Sequence, residues 1–135
     1  MTTKTKAPAA ATIPLPRIHS TYAGGEVMGV VMGENGQPDY LLIDLGVEPK
    51  NDVTWDEAKT WAASVGGDLP TRREQAVMFG NRLEGQYKPR WYWSGEAHAS
   101  EPSWAWLQHF YYGTQSNDHK VSHFRARAVR RVPFQ

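Results

Sequence analysis

Thr54-Trp-Asp-Glu-Ala-Lys-Thr-Trp-Ala-Ala-Ser-Val-Gly-Gly-Asp-Leu-Pro-Thr-Arg-Arg-Glu74 holds two helix starts and one helix stop. Thr54 to Glu57 has the spacing of a capping box, in which the threonine hydroxyl takes the N3 amide and the glutamate reaches back to the cap. Trp55, Ala58, Trp61, Ala62 and Val65 then fall within about 120° of a helical wheel, which predicts a buried stripe. Gly66-Gly67 supplies the left-handed stop. Leu69-Pro70 forces an extended approach, because the residue before proline avoids the helical region. Thr71 to Glu74 repeats the box, with Ala76, Phe79 and Leu83 expected as the apolar stripe of a second helix.

Upstream the pattern has period two. Val27 to Met32 and Tyr40 to Leu45 are short apolar runs on either side of Asn35-Gly36, a dipeptide suited to a tight hairpin. Downstream, Trp91-Tyr-Trp-Ser94 reads as one strand. Trp104 to Tyr112 reads as another, with Trp104, Trp106, Gln108 and Phe110 on one face. Gly113 to Lys120 is expected to be a polar loop, and Phe124 to Arg131 an alternating last strand. The expected architecture is α+β: an N-terminal β-hairpin, two helices, then a small antiparallel sheet. Residues 18–135 form one domain in this reading, preceded by an extended arm over residues 1–17, which is rich in Thr, Lys, Ala and Pro.

Bulk composition removes several classes of function. The 135 residues suffice for one core, and 40% of them are apolar. No cysteine is present, which excludes disulfides, thiolate metal ligands and a cysteine nucleophile. A net charge of +1 gives no global field for nucleic acid, which is not an expected partner. No run approaches the roughly 20 apolar residues of a membrane helix. Prolines 8, 14 and 16 interrupt any signal-peptide core, so synthesis in a cytoplasm is expected.

Five short motifs, in order, carry a family resemblance. They are Thr54-Trp-Asp-Glu-Ala58, Gly67-Asp-Leu-Pro-Thr71 with Glu74, Tyr92-Trp-Ser94, Ala105-Trp106 with Phe110 and Gly113, and Arg127-Ala-Val-Arg130. Spanning about residues 40 to 132, they resemble a bacterial and phage domain-of-unknown-function family with a C-type lectin-like fold. That family is related to formylglycine-generating enzymes and to the C-terminal domain of a collagen-like adhesin. The resemblance implies loops and a sheet face that present variable residues on a rigid base. It also implies a cysteine pair in the first helix and last strand, where this chain has Ala62 or Ala63, and Ala128. Formylglycine-type oxidation needs a cysteine pair, so no enzyme is expected.

The aromatic and polar stretch from His98 to His123 is the expected ligand surface, with Trp104, Tyr111, Tyr112, Gln115, Asn117 and His119 as its members. Trp104 and one tyrosine can equally serve the core. Arg125, Arg127 and Arg131 share a strand face and form the expected basic patch, either a solvated sheet edge or a contact for an acidic partner. No metal is expected. The one calcium arrangement the pattern offers is Glu101, Asn117 and Asp118. The resemblance suggests it, because sugar-binding C-type lectins carry Glu-Pro-Asn or Gln-Pro-Asp and then Asn-Asp; here Ser103 stands where the Asn would be. Gln37-Pro38-Asp39 spells the motif in a hairpin instead. His98, His109, His119 and His123 match no zinc spacing, and Ser94, Glu96 and His98 lie too close along one strand to form a relay.

The expectation is therefore a non-enzymatic recognition module, phage- or bacterium-encoded, that binds a surface glycan or protein and is carried in a virion. An intracellular accessory protein that inhibits or scaffolds a host macromolecule is the alternative. A virion assembly subunit, homo-oligomeric through its N-terminal arm, is the third reading.

Overall fold

The computed structural model describes residues 14–134. The arm expected over residues 1–17 lies outside the described residues as far as position 13. The elements run β1 (Thr21–Tyr22), β2 (Gly25–Val31), β3 (Tyr40–Asp44), α1 (Trp55–Ser64), α2 (Arg72–Gly80), β4 (Trp91–Ala97), β5 (Trp104–His109), β6 (Gln115–His119) and β7 (Val129–Pro133). They form two antiparallel sheets, β1-β2-β3-β7 and β4-β5-β6, with two helices, a mixed α+β arrangement. Among the described residues no helix is long and apolar enough to cross a membrane.

Local chemistry explains the first half of the chain. Asn35 and Gly36 both take positive φ, 55° and 79°, in a tight turn closed by the Gln37 N–H on the Glu34 carbonyl at 3.0 Å; it forms the tip of the loop over residues 32–39 that joins the antiparallel pair β2–β3. Both capping boxes form. Thr54 accepts the Glu57 amide at 3.3 Å and Thr71 the Glu74 amide at 3.1 Å, while each glutamate accepts its threonine's N–H. α1 closes in a Schellman pattern, with Gly67 N–H on Ala62 C=O and Gly66 N–H on Ala63 C=O.

Two apolar clusters flank the second sheet. Trp55, Ala58 and Ala62 of α1 pack with Leu69, Trp93, Ala105, Leu107, Ala126 and Ala128. Ala62 and Ala128, where the resemblance implies cysteines, thus meet in one core, and methyl packing stands in for a crosslink. On the other side Met28, Leu42, Met78, Tyr92, Phe110 and Val129 form a cluster whose rings Tyr87, Tyr92 and Phe110 meet at 4.6–6.1 Å.

The structure corrects four expectations. α2 buries Glu74, Gln75 and Met78, while Ala76 is exposed and Leu83 lies beyond the helix with half its surface in solvent. The stripe is displaced because a carboxylate and an amide sit on the inner face with partners of their own. The segment from 113 to 120 is not all loop: Gln115–His119 is β6, the third strand of the aromatic sheet. β5 ends at His109, so Tyr111 and Tyr112 occupy the turn before it. Finally, β7 starts at Val129 and pairs with β3, returning the chain to the first sheet; ahead of it Phe124 and Arg125 make single bridges to Val53 and to Tyr92 of β4.

Candidate functional site

The β5–β6 pairing builds the candidate site. Trp104 lies opposite His119, Trp106 opposite Asn117 and Gln108 opposite Gln115, all on one face. Their neighbours Ala105 and Leu107 point into the α1 cluster. The body of α2 covers the Gln108 end, where the buried Gln75 amide donates to the carbonyls of Tyr92 and Trp93 at 3.1 and 3.2 Å, and its Arg72 side chain reaches Trp106. The tryptophan end stays open, and both Trp104 and Trp106 are half-buried.

Rings and cations line this end. The His119 ring tilts over Trp104 with centroids 4.1 Å apart. Trp106 carries the Arg72 guanidinium 3.5 Å from its centroid and stacks with His98 at 5.4 Å. Such a cation–π contact contributes about 0.5–1 kcal/mol and helps hold the indole in place. Arg72 is itself fixed, donating through Nε to Gln115 at 2.9 Å and through its backbone N–H to Glu96 at 2.8 Å. Tyr111 and Tyr112 stand out at the turn with 63% and 74% of their surface exposed, edge to face at 4.9 Å.

Of the six residues expected on the ligand surface, Trp104, Asn117 and His119 share the open face of β5–β6, exposed or half-exposed, whereas Tyr111 and Tyr112 stand exposed at the turn beyond His109, where Tyr112 packs on that ring at 4.9 Å. Gln115 has another job. Its amide donates to the Arg72 carbonyl and to the Gln108 side chain, both at 2.8 Å, so it clasps β6 to the first turn of α2.

The expected basic patch is neutralised: Arg125, Arg127 and Arg131 are all paired with acids, Arg127 nearly buried and Arg125 and Arg131 with 29% and 31% of their side chains exposed. Arg125 and Arg127 both grip Glu48 at 2.8 Å, Arg127 also reaches Asp44 at 3.4 Å, and Arg131 pairs with Glu74 at 2.6 Å. Tyr92 and Tyr87 donate to Glu48 and Asp44 at 2.7 and 2.6 Å. Burial raises the carboxyl of Glu48, but the Tyr92 hydroxyl and the two guanidinium groups outweigh it and hold the group below its usual range. Burial and the Asp44 charge push the Tyr87 phenol far up. Sequence periodicity found the shared face; the acids that neutralise it come from a distant loop, from β3 and from α2.

Nor does the calcium arrangement assemble. Asn117 and Asp118 are successive residues of β6 and so project to opposite faces. Asp118 accepts its own strand's His119 N–H at 2.7 Å and the Ser122 hydroxyl at 2.8 Å. Among the described residues no group of three or more His, Asp or Glu side chains is placed to hold a metal ion.

A groove next to this face escaped the sequence reading. Two adjoining cavities of about 500 and 560 Å³ share Glu34, Arg73 and Glu96, between the hairpin tip and the first turn of α2. Gln108 and Gln115 form part of its wall, so the groove continues the aromatic face. The second capping box marked the helix start, but only the fold brings Glu34 to it, where its carboxylate meets Arg73 at 3.1 Å.

Residues 18–129 match the family model for the sulfatase-modifying factor enzyme 1-like domain, named FGE-sulfatase. No curated protein matches the chain.

Proposed function

Since the chain belongs to the family of sulfatase-modifying factor enzyme 1-like domains, we propose that it uses a C-type lectin-like scaffold for recognition and carries out no covalent chemistry. The chain contains no cysteine, so no thiol of its own is available for an oxidation. The observation that carries the reading is the half-open aromatic face of the second sheet. Trp104 with His119 and Trp106 with Arg72 and His98 form rigid amphipathic platforms. Tyr111 and Tyr112 add a second exposed aromatic group at the β5–β6 turn, beside His109. Aromatic groups beside amide and imidazole donors are the composition of recognition surfaces, because they give contact area at low entropic cost. The ligand in this proposal is a surface glycan or a surface protein.

The test is a glycan array and a panel of envelope proteins probed with the full chain beside Trp104→Ala and Tyr112→Ala. A ligand whose affinity falls at least about tenfold in both variants fits an aromatic anchor. Ligands bound equally by all three proteins, or a chemically altered product recovered after incubation, overturn the reading.

A further inference from the structure

The two sheets end in four outer strands: β1, β7, β4 and β6. β1 is two residues long. β7 exchanges backbone bonds with Asp68, at 2.9 and 2.8 Å. β4 is sewn to Arg125 through the Trp93 amide at 2.9 Å and the Trp91 carbonyl at 3.2 Å, and its Gly95 amide reaches Pro70 at 2.8 Å. Among the described residues β6 has no such cover.

The ladder shows which groups are open. At one end His109 N–H bonds Thr114 C=O, and at the other Lys120 N–H bonds Ser103 C=O. Register is continuous between them, so bonded pairs alternate, and Ser116 and Asp118 are the β6 residues that face β5. The N–H and C=O groups of Gln115, Asn117 and His119 therefore point outward. His119 is spoken for, its N–H by the Asp118 carboxylate and its C=O by the Ser122 amide. Gln115 and Asn117 remain, each with a donor and an acceptor, spaced about 6.8 Å apart as alternate residues of a strand. The strand has no lysine and no proline to blunt it, and its one charge, Asp118, is turned back on its own chain.

We propose that β6 receives an extended segment of a partner protein, which adds to the second sheet as a fourth strand through main-chain bonds to Gln115 and Asn117. This rests on the recognition reading above and narrows its ligand to polypeptide. Two donor–acceptor pairs at strand spacing match a peptide backbone, whereas sugar hydroxyls have no such repeat. Every second side chain of the added strand lies on the face that carries Asn117, Trp106 and Trp104. A second copy of the chain fits less well. Symmetric antiparallel pairing about Asn117 sets the two Asp118 carboxylates on diagonal positions of one face.

The probe is a displayed library of random ten-residue peptides selected on the full chain. Hydrogen exchange is then read at single backbone amides, with and without an enriched peptide. The expected result is protection of the Gln115 and Asn117 amides rising at least about tenfold on binding, with Ser116 and Asp118 already slow in the free protein. Asn117→Pro removes one outward N–H and leaves the β5 ladder intact, a change edge strands tolerate. It should weaken binding about tenfold or more, while Asn117→Thr binds like the parent. No enriched peptide, binding without protection at these two amides, or binding indifferent to Asn117→Pro overturns the proposal. A dimer seen in sedimentation that Asn117→Pro dissolves also overturns it and assigns the edge to a second copy. If Trp104→Ala removes ligand binding and Asn117→Pro does not, the recognition surface stands and strand addition falls.

Discussion

Arg131 holds Glu74 at two points, Nε donating to Oε2 at 2.6 Å and Nη2 to Oε1 at 2.8 Å. Oε1 also accepts the Thr71 N–H at 2.9 Å, and Oε2 the hydroxyl of Tyr40. One fully buried carboxylate thus closes the cap of α2, anchors β7 and meets β3.

Removing that carboxylate leaves the Tyr40 hydroxyl without its acceptor and Arg131 with only Asp68, at 2.9 Å, and the Leu69 carbonyl. Glu74→Ala should destabilise the fold by about 2–3 kcal/mol, as unpairing buried polar groups does. Thr71→Ala breaks only the cap and should cost about 1 kcal/mol. Urea unfolding of both variants checks the order. A Glu74→Ala cost no larger than that of Thr71→Ala would remove the tether.

The same geometry sets the response to acid. Burial raises Glu74 and Glu48, but the bonds from Arg131 and Tyr40, and from Tyr92, Arg127 and Arg125, outweigh it, so both carboxyls sit below their usual value of 4.5. A depressed folded pKa stabilises the fold above the unfolded value and loses that contribution as pH falls through the folded one. The share of stability that rests on these two carboxylates should therefore hold from neutrality to about pH 5 and drop below pH 4.5. Glu74→Gln should flatten the drop. A loss of stability centred near pH 6.5 instead would point to histidines.

Much of this arrangement was legible in the sequence because it is local. The capping boxes, the Asn35-Gly36 hairpin and the Gly66-Gly67 stop each act within a few residues, and all three form. The face shared by Trp104, Trp106 and Gln108 follows from strand alternation alone. What escaped depends on distance along the chain. β6 reads as loop because Gln115-Ser-Asn-Asp-His119 is an edge strand with no apolar face of its own. The stripe of α2 was misplaced because Glu74 and Gln75 carry partners 57 and 17 positions away. The arginines of residues 125–131 look like a solvated face until Glu48, Asp44 and Glu74 are folded against them.

A second pH effect belongs to the tyrosine turn. His109 Nδ1 faces the amides of Tyr111 and Tyr112 at 3.1 and 3.4 Å, so it accepts from them only while unprotonated. Burial, and then the nearby Arg90 charge, lower the pKa of this ring from about 6.5. A depressed histidine pKa stabilises the turn above 6.5 and releases it as pH falls through the lower folded value. The His109 titration midpoint should lie below 6.5, with exchange of the Tyr111 and Tyr112 amides speeding up across the same interval. A midpoint at or above 6.5, or amides indifferent to it, would separate the histidine from the turn.

Gly113 and Gly36 offer a matched comparison, since both sit at φ +79°. A side chain at either position carries the same left-handed backbone cost, about 1–2 kcal/mol. The surroundings differ. A Cβ on Gly36 meets nothing within 4 Å, whereas one on Gly113 lies 2.7 Å from Cε2 and 2.9 Å from Cζ of Phe79. Phe79 cannot retreat freely, because its ring packs edge-on against Phe110 at 6.1 Å and under the Arg82 guanidinium at 3.7 Å. Gly113→Ala should thus add an overpacking cost of about 1–3 kcal/mol to the backbone one. It should also disturb the β5–β6 turn that presents the tyrosines, so ligand affinity falls along with stability. Gly36→Ala should lower the melting temperature slightly and leave binding unchanged. Phe79→Leu combined with Gly113→Ala should recover part of the difference, since a smaller side chain vacates the contested space. Equal melting temperatures for the two glycine variants would show that the turn is held by backbone conformation alone, without Phe79.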